Sequence, residues 1–379
     1  MHPFLTAKER QKPLRYFEQL AFIEDQWTEI YSSVKSPSLF ISFDYIRLWY
    51  EKFALPHELR IFPIVDGTTL IGFMPLVLRT TGFLRTLSSL TNCHCSHPAA
   101  LVADGFEKQF VGKLIDRIVA DANEWDVLRM NVGYSFHKDT RLYEIAFKDY
   151  ALHIKKEPAY SIWLPQSYDE YFKKDLSVNT RRIRQRFKNK LRKRASSFGI
   201  SHFSGEEALA KWPAFLSIED SGWKGENGTS LKKHPDNYRS YFNCLIRMLS
   251  KKSQLHMYFL NIDGQPVSGV FSYTDQEILH VAKTGYKEEF SAFSPSSVLF
   301  LFIIEDAINN FPGITRVNLF PGDYGFKHRY INEESFYAEI VMHNKSIRSR
   351  GAHLYSKVKT KVNTIIKREK KLVSQLEPR

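Results

Sequence analysis

The run Ser294-Pro295-Ser296-Ser297, just ahead of the apolar stretch Val298 to Ile304, is the part of this sequence best suited to holding an anion. Serine at an N-cap and proline at the first helical position mark a helix start. First-turn N–H groups have no partner inside the helix, and the positive end of the dipole lies there too, so phosphate is favoured. Ser296 and Ser297 add hydroxyls. Lys283 adds a positive charge from the strand upstream, EILHVAKTGY, which ends at Tyr286. Plain helix capping, with no ligand, accounts for the same four residues. Other constellations carry less. Cys93, His94, Cys95 and His97 crowd together as CHCSH, but adjacent and i+2 spacings are not those of usual zinc sites, so no metal is expected. G-x-S-x-G, Walker, H-E-x-x-H and H-x-x-x-D patterns do not occur, and hydrolase, P-loop and condensation-type chemistry lose their support.

The elements that must position such a site occur twice. IFPIVDGTTLIGF (Ile61 to Phe73) and YFLNIDGQPVSGV (Tyr258 to Val270) each read as strand, Asp-Gly turn and second strand. At a constant offset of 197, Asp66, Gly67 and Gly72 fall on Asp263, Gly264 and Gly269. An amphipathic helical stretch precedes each hairpin, DYIRLWYEKF and YFNCLIRMLS. A further helix and a strand ending at glycine follow each. The pattern predicts an α/β (α+β) chain of two tandem modules, each a mixed, mostly antiparallel sheet flanked by helices. The bland alternative is that any two α/β domains with Asp-Gly hairpins align this well. Boundaries are expected at 1–155, 156–345 and a basic amphipathic helical tail, 346–379, whose Val358, Val362, Ile365 and Leu372 recur at helical spacing. In the first copy the point equivalent to the serine run reads ADGFEKQF, where Asp104 and Glu107 would occupy or repel a phosphate. Only the second copy is therefore expected to hold one.

Bulk properties narrow the class. A chain of 379 residues, 43% apolar and 14% aromatic, suits two globular cores. Three cysteines make no disulfide framework and point to a reducing compartment. The charged N-terminal stretch is not a signal peptide, and seven apolar residues are too few for a span, which takes about 20. A cytoplasmic protein is expected. The net charge, 54 − 41 = +13, suits an anionic partner. Nine of the fourteen residues from Arg181 to Arg194 are basic. Ile183, Phe187 and Leu191 form a packing seam along that stretch, so a solvated basic face is the simplest reading, with polyanion contact or docking beside a nucleotide as sharper ones.

The order LSVNTRRIRQRF, SGWKG, Asp-Gly hairpin, AKTGY, SPSS and NLFPGDYGFKHRY resembles the CelD-like acetyltransferase family of the GNAT superfamily, related to FemAB-like double-GNAT transferases. The likeness covers about half the chain well. Ser296 stands where the family has glycine, Gly222 interrupts its Ser-Trp-Lys run, and Asn318 replaces an acidic residue. The resemblance implies acetyl-CoA or another acyl-CoA as co-substrate, bound at Lys283, Tyr286, Ser294, Pro295, Ser296 and Ser297. It also implies direct attack of an amine or hydroxyl on the thioester, which needs orientation, proton removal and a stabilised oxyanion. Asp323 and Tyr324 are the first candidates for the proton, Lys327 could bind an anionic substrate group or tune a neighbour, and Trp223 and Lys224 complete the candidate catalytic set. Glu219 and Asp220 are competing acids. The acceptor implied is a small molecule or glycan precursor for a surface polymer. An aminoacyl-tRNA-dependent transferase, or a non-catalytic nucleic-acid binder, is the alternative.

Overall fold

The computed structural model describes residues 12–92, 100–135, 138–148, 153–322, 325–351 and 353–354, with the backbone alone for Lys138, Asp139, Ile183, Lys188, Arg194 and Trp223. The CHCSH cluster, Asp323, Tyr324 and nearly all of the basic tail lie outside the described residues.

Twelve strands make one sheet. The first half supplies β1 (Leu59–Asp66), β2 (Thr69–Thr81), β3 (Leu84–Ser89), β4 (Leu101–Val102) and β5 (Val127–Tyr134). Then come β6 (His153–Trp163), β7 (Phe198–Ser204), β8 (Leu255–Ile262), β9 (Gln265–Asp275), β10 (Ile278–Tyr286), β11 (Arg316–Pro321) and β12 (Glu333–His343). The spatial order is β1-β2-β3-β5-β12-β6-β11-β10-β9-β8-β7, with β4 on β2. Two adjacencies are parallel, β3 with β5 and β10 with β11, and the others are antiparallel. The chain is thus the expected α/β protein with a mixed, mostly antiparallel sheet.

The helices are α1 (Glu24–Ser33), α2 (Phe43–Phe53), α3 (Glu107–Ala120), α4 (Lys138–Phe147), the single turn α5 (Tyr168–Glu170), α6 (Val178–Arg194), α7 (Gly205–Ala210), α8 (Trp212–Asp220), the single turn α9 (Trp223–Glu226), α10 (Asp236–Lys251) and α11 (Pro295–Asn310). Strand alternation sends side chains to two faces. Leu255, Met257 and Phe259 of β8 join Leu59 and Ile61 of β1 in one core shared by both halves, against α2 and α10. Tyr258, Leu260 and Ile262 join a separate core beneath α11, while Phe62 and Ile64 pack beneath α3. The two helices that precede the repeated hairpins meet in the shared core, with Tyr45 Oη 3.0 Å from Tyr241 Oη.

Both hairpins form, with a difference of one residue in the turn. Ile262 pairs with Gln265, so Asp263 (φ 49°) and Gly264 (φ 77°) make the bend of the second. In the first, Asp66 pairs with Thr69 and remains in the strand, leaving Gly67 (φ 60°) and Thr68 to turn. The register differs because the strands are held by their cores and not by the turn alone. The ends of the sheet's two halves interlock. β12 sits between β5 and β6, and β6 sits between β12 and β11. The expected boundary at 155/156 falls inside β6, so the chain divides there by sequence more cleanly than the sheet does.

Candidate functional site

The parallel neighbours β10 and β11 share three pairs, Ile278 with Arg316, Leu279 with Val317 and His280 with Asn318, and then part. Two local features open the gap. A bulge between Val281 and Lys283 leaves Ala282 out of the ladder with β9, and bulges bend and twist the strand that carries them. On the other side Phe320 takes φ 62°, a left-handed backbone rarely adopted by a bulky residue. Three groups hold it there. Asn318 Oδ1 accepts the Phe320 N–H at 3.0 Å. Asn318 Nδ2 lies 3.1 Å from His280 Nδ1. Lys327 Nζ donates to the carbonyls of Phe320 (2.9 Å), Pro321 (3.3 Å) and Gly322 (2.9 Å).

The gap leads into a cavity of about 900 Å³ that reaches from α11 to the strands of the first half. Four of the six residues expected to bind a cofactor line it: Lys283, Tyr286, Ser296 and Ser297. Ser294 and Pro295 are not among the lining residues. Ser294 sits at the helix start in the left-handed region (φ 45°) and makes no side-chain cap, while Pro295 is buried. Their part is to aim the helix, with the Ser294 carbonyl accepting the N–H groups of Ser297 (3.0 Å) and Val298 (3.3 Å). Burial raises the Tyr286 hydroxyl's pKa, and hydrogen-bonded Glu288 adds to the effect. Tyr330, beside Ser297, is raised by burial as well.

Lys224 and Glu219 also line the cavity. Lys224 Nζ donates to the Thr284 carbonyl at 2.8 Å and lies 3.4 Å from Glu219 Oε1. Glu219 Oε2 accepts the Leu231 N–H at 2.8 Å. The helix that carries Glu219 can approach because position 285 is glycine: a Cβ there would stand 2.7 Å from Glu219 Cα. Asp220 instead accepts from Ser230 Oγ at 2.5 Å. Lys327 also lines the cavity, buried against the carbonyls it caps.

The first half has the same three-pair contact, and side chains bridge the strands beyond it. Thr86, Leu87 and Ser88 of β3 pair with Val127, Leu128 and Arg129 of β5. Beyond them, Ser89 Oγ accepts the Asn131 N–H (3.1 Å), and Asn131 Nδ2 donates to Thr91 Oγ1 (2.9 Å). At the start of α3, Glu107 Oε1 accepts the Gly105 N–H at 3.2 Å, and Asp104 Oδ2 takes the Lys35 N–H at 2.9 Å. Both expected carboxylates therefore stand near that helix start.

The basic helix α6 packs by Leu191, which is buried, and Phe187, which is half-buried. Several of its cations are turned inward. Arg184 Nη2 meets Glu305 Oε2 at 3.2 Å, and Lys190 Nζ donates to the Ala292 carbonyl at 2.8 Å, just ahead of α11. Arg182, Arg186, Arg192 and Lys193 are exposed. Cavity residues on β5, β6 and β12, Arg129, Asn131, Glu157 and Glu339 among them, gave no signal in the sequence, since β5 and β12 lie some 200 residues apart and meet only in the sheet.

Residues 181–328 match the family model described as an acetyltransferase (GNAT) domain. That match sets the class as far as it reaches: the matched residues are similar to a GNAT acetyltransferase domain, which supports an acyltransferase. Among solved structures the chain is similar to FemX, at 11% identity and a TM-score of 0.53, covering 83% of this chain and 95% of that one. It is also similar to the C-terminal domain of a "Putative Lysylphosphatidylglycerol Synthetase" from Agrobacterium fabrum, at 10% identity, TM-score 0.52 and coverage of 89% and 97%. A tandem GNAT protein from the clavulanic acid biosynthesis pathway matches at 11% identity and TM-score 0.46, covering 88% and 98%. No curated protein matches the chain. At these identities the likenesses concern the fold.

Proposed function

We propose that this protein is a cytoplasmic acyltransferase that moves an acyl group, acetyl in the simplest case, from acyl-CoA to an amine or hydroxyl of a small or glycan-precursor acceptor. The observation that carries the reading is the parting of β10 and β11 beside the first turn of α11, opening onto one cavity. The donor's phosphates would take the Ser296 N–H and the hydroxyls of Ser296 and Ser297, with Lys283 nearby. Its thioester would lie in the gap beside Ala282, where backbone groups can meet the developing oxyanion. The nucleophile attacks the thioester carbonyl, its proton passes to a base, and the tetrahedral intermediate collapses with CoA thiolate leaving. Asp323 and Tyr324 follow directly on the turn that Lys327 pins and remain the first candidates for the proton. Glu219 is the described acid at the α11 end of the cavity. Trp223 and Lys224 are proposed as wall and positioning residues. The CelD-like resemblance supports an acceptor of exopolysaccharide synthesis. The proposed division is an N-terminal module (1–155) that binds no cofactor, a catalytic module (156–345) and a tail.

Calorimetric titration with acetyl-CoA tests the reading directly, with micromolar or tighter binding at a one-to-one ratio expected. The exposed Arg182, Arg186, Arg192 and Lys193 favour one alternative, transfer from aminoacyl-tRNA. Submicromolar tRNA binding at physiological salt, lost when these four become glutamine, together with no acetyl-CoA binding, would put that alternative first. Weak binding with only the salt dependence expected of a +13 protein would remove it.

A further inference from the structure

The end of the cavity away from α11 is floored by β5, β12 and β6. Asn131, Glu339 and Lys155 stand opposite one another across the three strands, and Tyr337 faces Glu157 one step along. Arg129 lies two residues before Asn131, on the same face. All six line the cavity. Their charges form one network. Arg129 donates to Glu339 through Nε (3.0 Å) and Nη2 (2.8 Å), and Lys155 Nζ donates to Glu157. The Arg129 pKa is raised, first by its hydrogen bond to Glu339, with the Glu157 charge adding to it. Cross-strand pairing of opposite charges stabilises a sheet, yet these groups face open space. The side chains of Arg129, Lys155 and Glu157 are 49%, 46% and 47% exposed.

The two ends of the cavity differ in charge. The α11 end carries Lys224, Lys283 and Lys327 against Glu219, whereas the floor carries two cations and two anions, each already matched. We infer that the floor is the acceptor subsite and that it takes a neutral polyhydroxylated molecule, a sugar or sugar-bearing compound. A ligand with net charge would meet, beside each group it is drawn to, a group of its own sign, so attraction to one is largely offset by repulsion from the other. A zwitterion gains only where its two charges match the spacing and order of a pair. A hydroxyl avoids both limits, because it donates to a carboxylate lone pair while accepting from an ammonium or guanidinium N–H. Neighbouring hydroxyls can then span the Lys155–Glu157 pair, with the Asn131 amide and the Tyr337 ring and hydroxyl completing the surface. This deepens the proposed function and relies on it for the acyl donor, while binding of the sugar does not depend on that donor.

The test is saturation-transfer NMR on the full chain with three probes, methyl glucoside, alanine and succinate, with acetyl-CoA calorimetry on the same samples. Methyl glucoside is expected to bind, with an affinity that changes less than about twofold between roughly 0.05 and 0.5 M salt, since a neutral ligand has no net charge to screen. Glu157→Gln lies at an exposed position and should weaken it about tenfold while leaving the melting temperature and acetyl-CoA affinity unchanged. Arg129→Met with Glu339→Met should do the same where the fold tolerates it. Absence of hexoside binding overturns the inference. So does tighter, steeply salt-dependent binding of alanine or succinate, or a hexoside affinity untouched by Glu157→Gln. Hexoside binding by a protein that does not bind acetyl-CoA supports the inference and removes the donor reading alone.

Discussion

The two halves make the same parallel contact of three pairs, between β3 and β5 and between β10 and β11, and use it in opposite ways. In the first half, hydroxyl and amide side chains bridge the strands as soon as they part, and two carboxylates answer N–H groups near the helix start. In the second half, a bulge and a left-handed phenylalanine push the strands away from each other, and the helix start faces the cavity. The same contact is thus followed by bridged strands in one half and parted strands in the other, according to a few side chains at one place. The bridged half also contributes to the cavity, since its β5 lines the floor.

The largest way to break this contrast is to add one methyl group in each half. Gly285→Ala would set a Cβ 2.7 Å from Glu219 Cα, and Gly72→Ala would set one 2.2 Å from the Leu101 carbonyl oxygen. Each should cost about 2–3 kcal/mol in unfolding free energy. Only Gly285→Ala should also abolish acetyl-CoA binding, because it pushes α8 away from the wall of the cavity. Equal loss of binding in both variants would show that the first copy is not merely a buttress.

Next in size is Lys327→Met, which strips three carbonyls of their charged donor. About 2 kcal/mol of stability should be lost, together with turnover. A melting temperature that does not move, with activity gone, would favour for Lys327 the substrate-binding role its position in the sequence suggested.

A smaller effect, about tenfold in affinity, is expected for Ser297→Glu, which puts a carboxylate beside the proposed phosphates. Glu107→Ser should leave acetyl-CoA affinity where it was. Matching changes from the two substitutions would mean both helix starts bind the donor. The smallest change in binding is expected from Asp323→Asn and Tyr324→Phe, which should lower kcat with KM and melting temperature nearly constant. Turnover unaltered in both would move the proton to Glu219.

Much of this was legible because it is local. The Asp-Gly turns, the helix that starts at Pro295, the amphipathic α2 and α10 and the apolar strands follow from backbone preferences and from side-chain periods within a few residues. Lys283, Ser296 and Ser297 were readable for the same reason: strand, loop and helix start are consecutive in the chain. The contrast between Ser297 and Glu107 was also visible, since a carboxylate at a helix start carries its own consequence. Tertiary structure alone decided the rest. Ser294 looked like a side-chain cap, but the chain enters α11 through a left-handed residue whose carbonyl does the work. The sequence did not show that the fold curls Phe320 to Gly322 around the Lys327 ammonium. Which strands become neighbours is a non-local matter, settled by burial of both faces, and it inserts β12 between β5 and β6. That single insertion sets Glu339 beside Arg129 across 210 residues of sequence, a meeting no spacing rule could have foreseen.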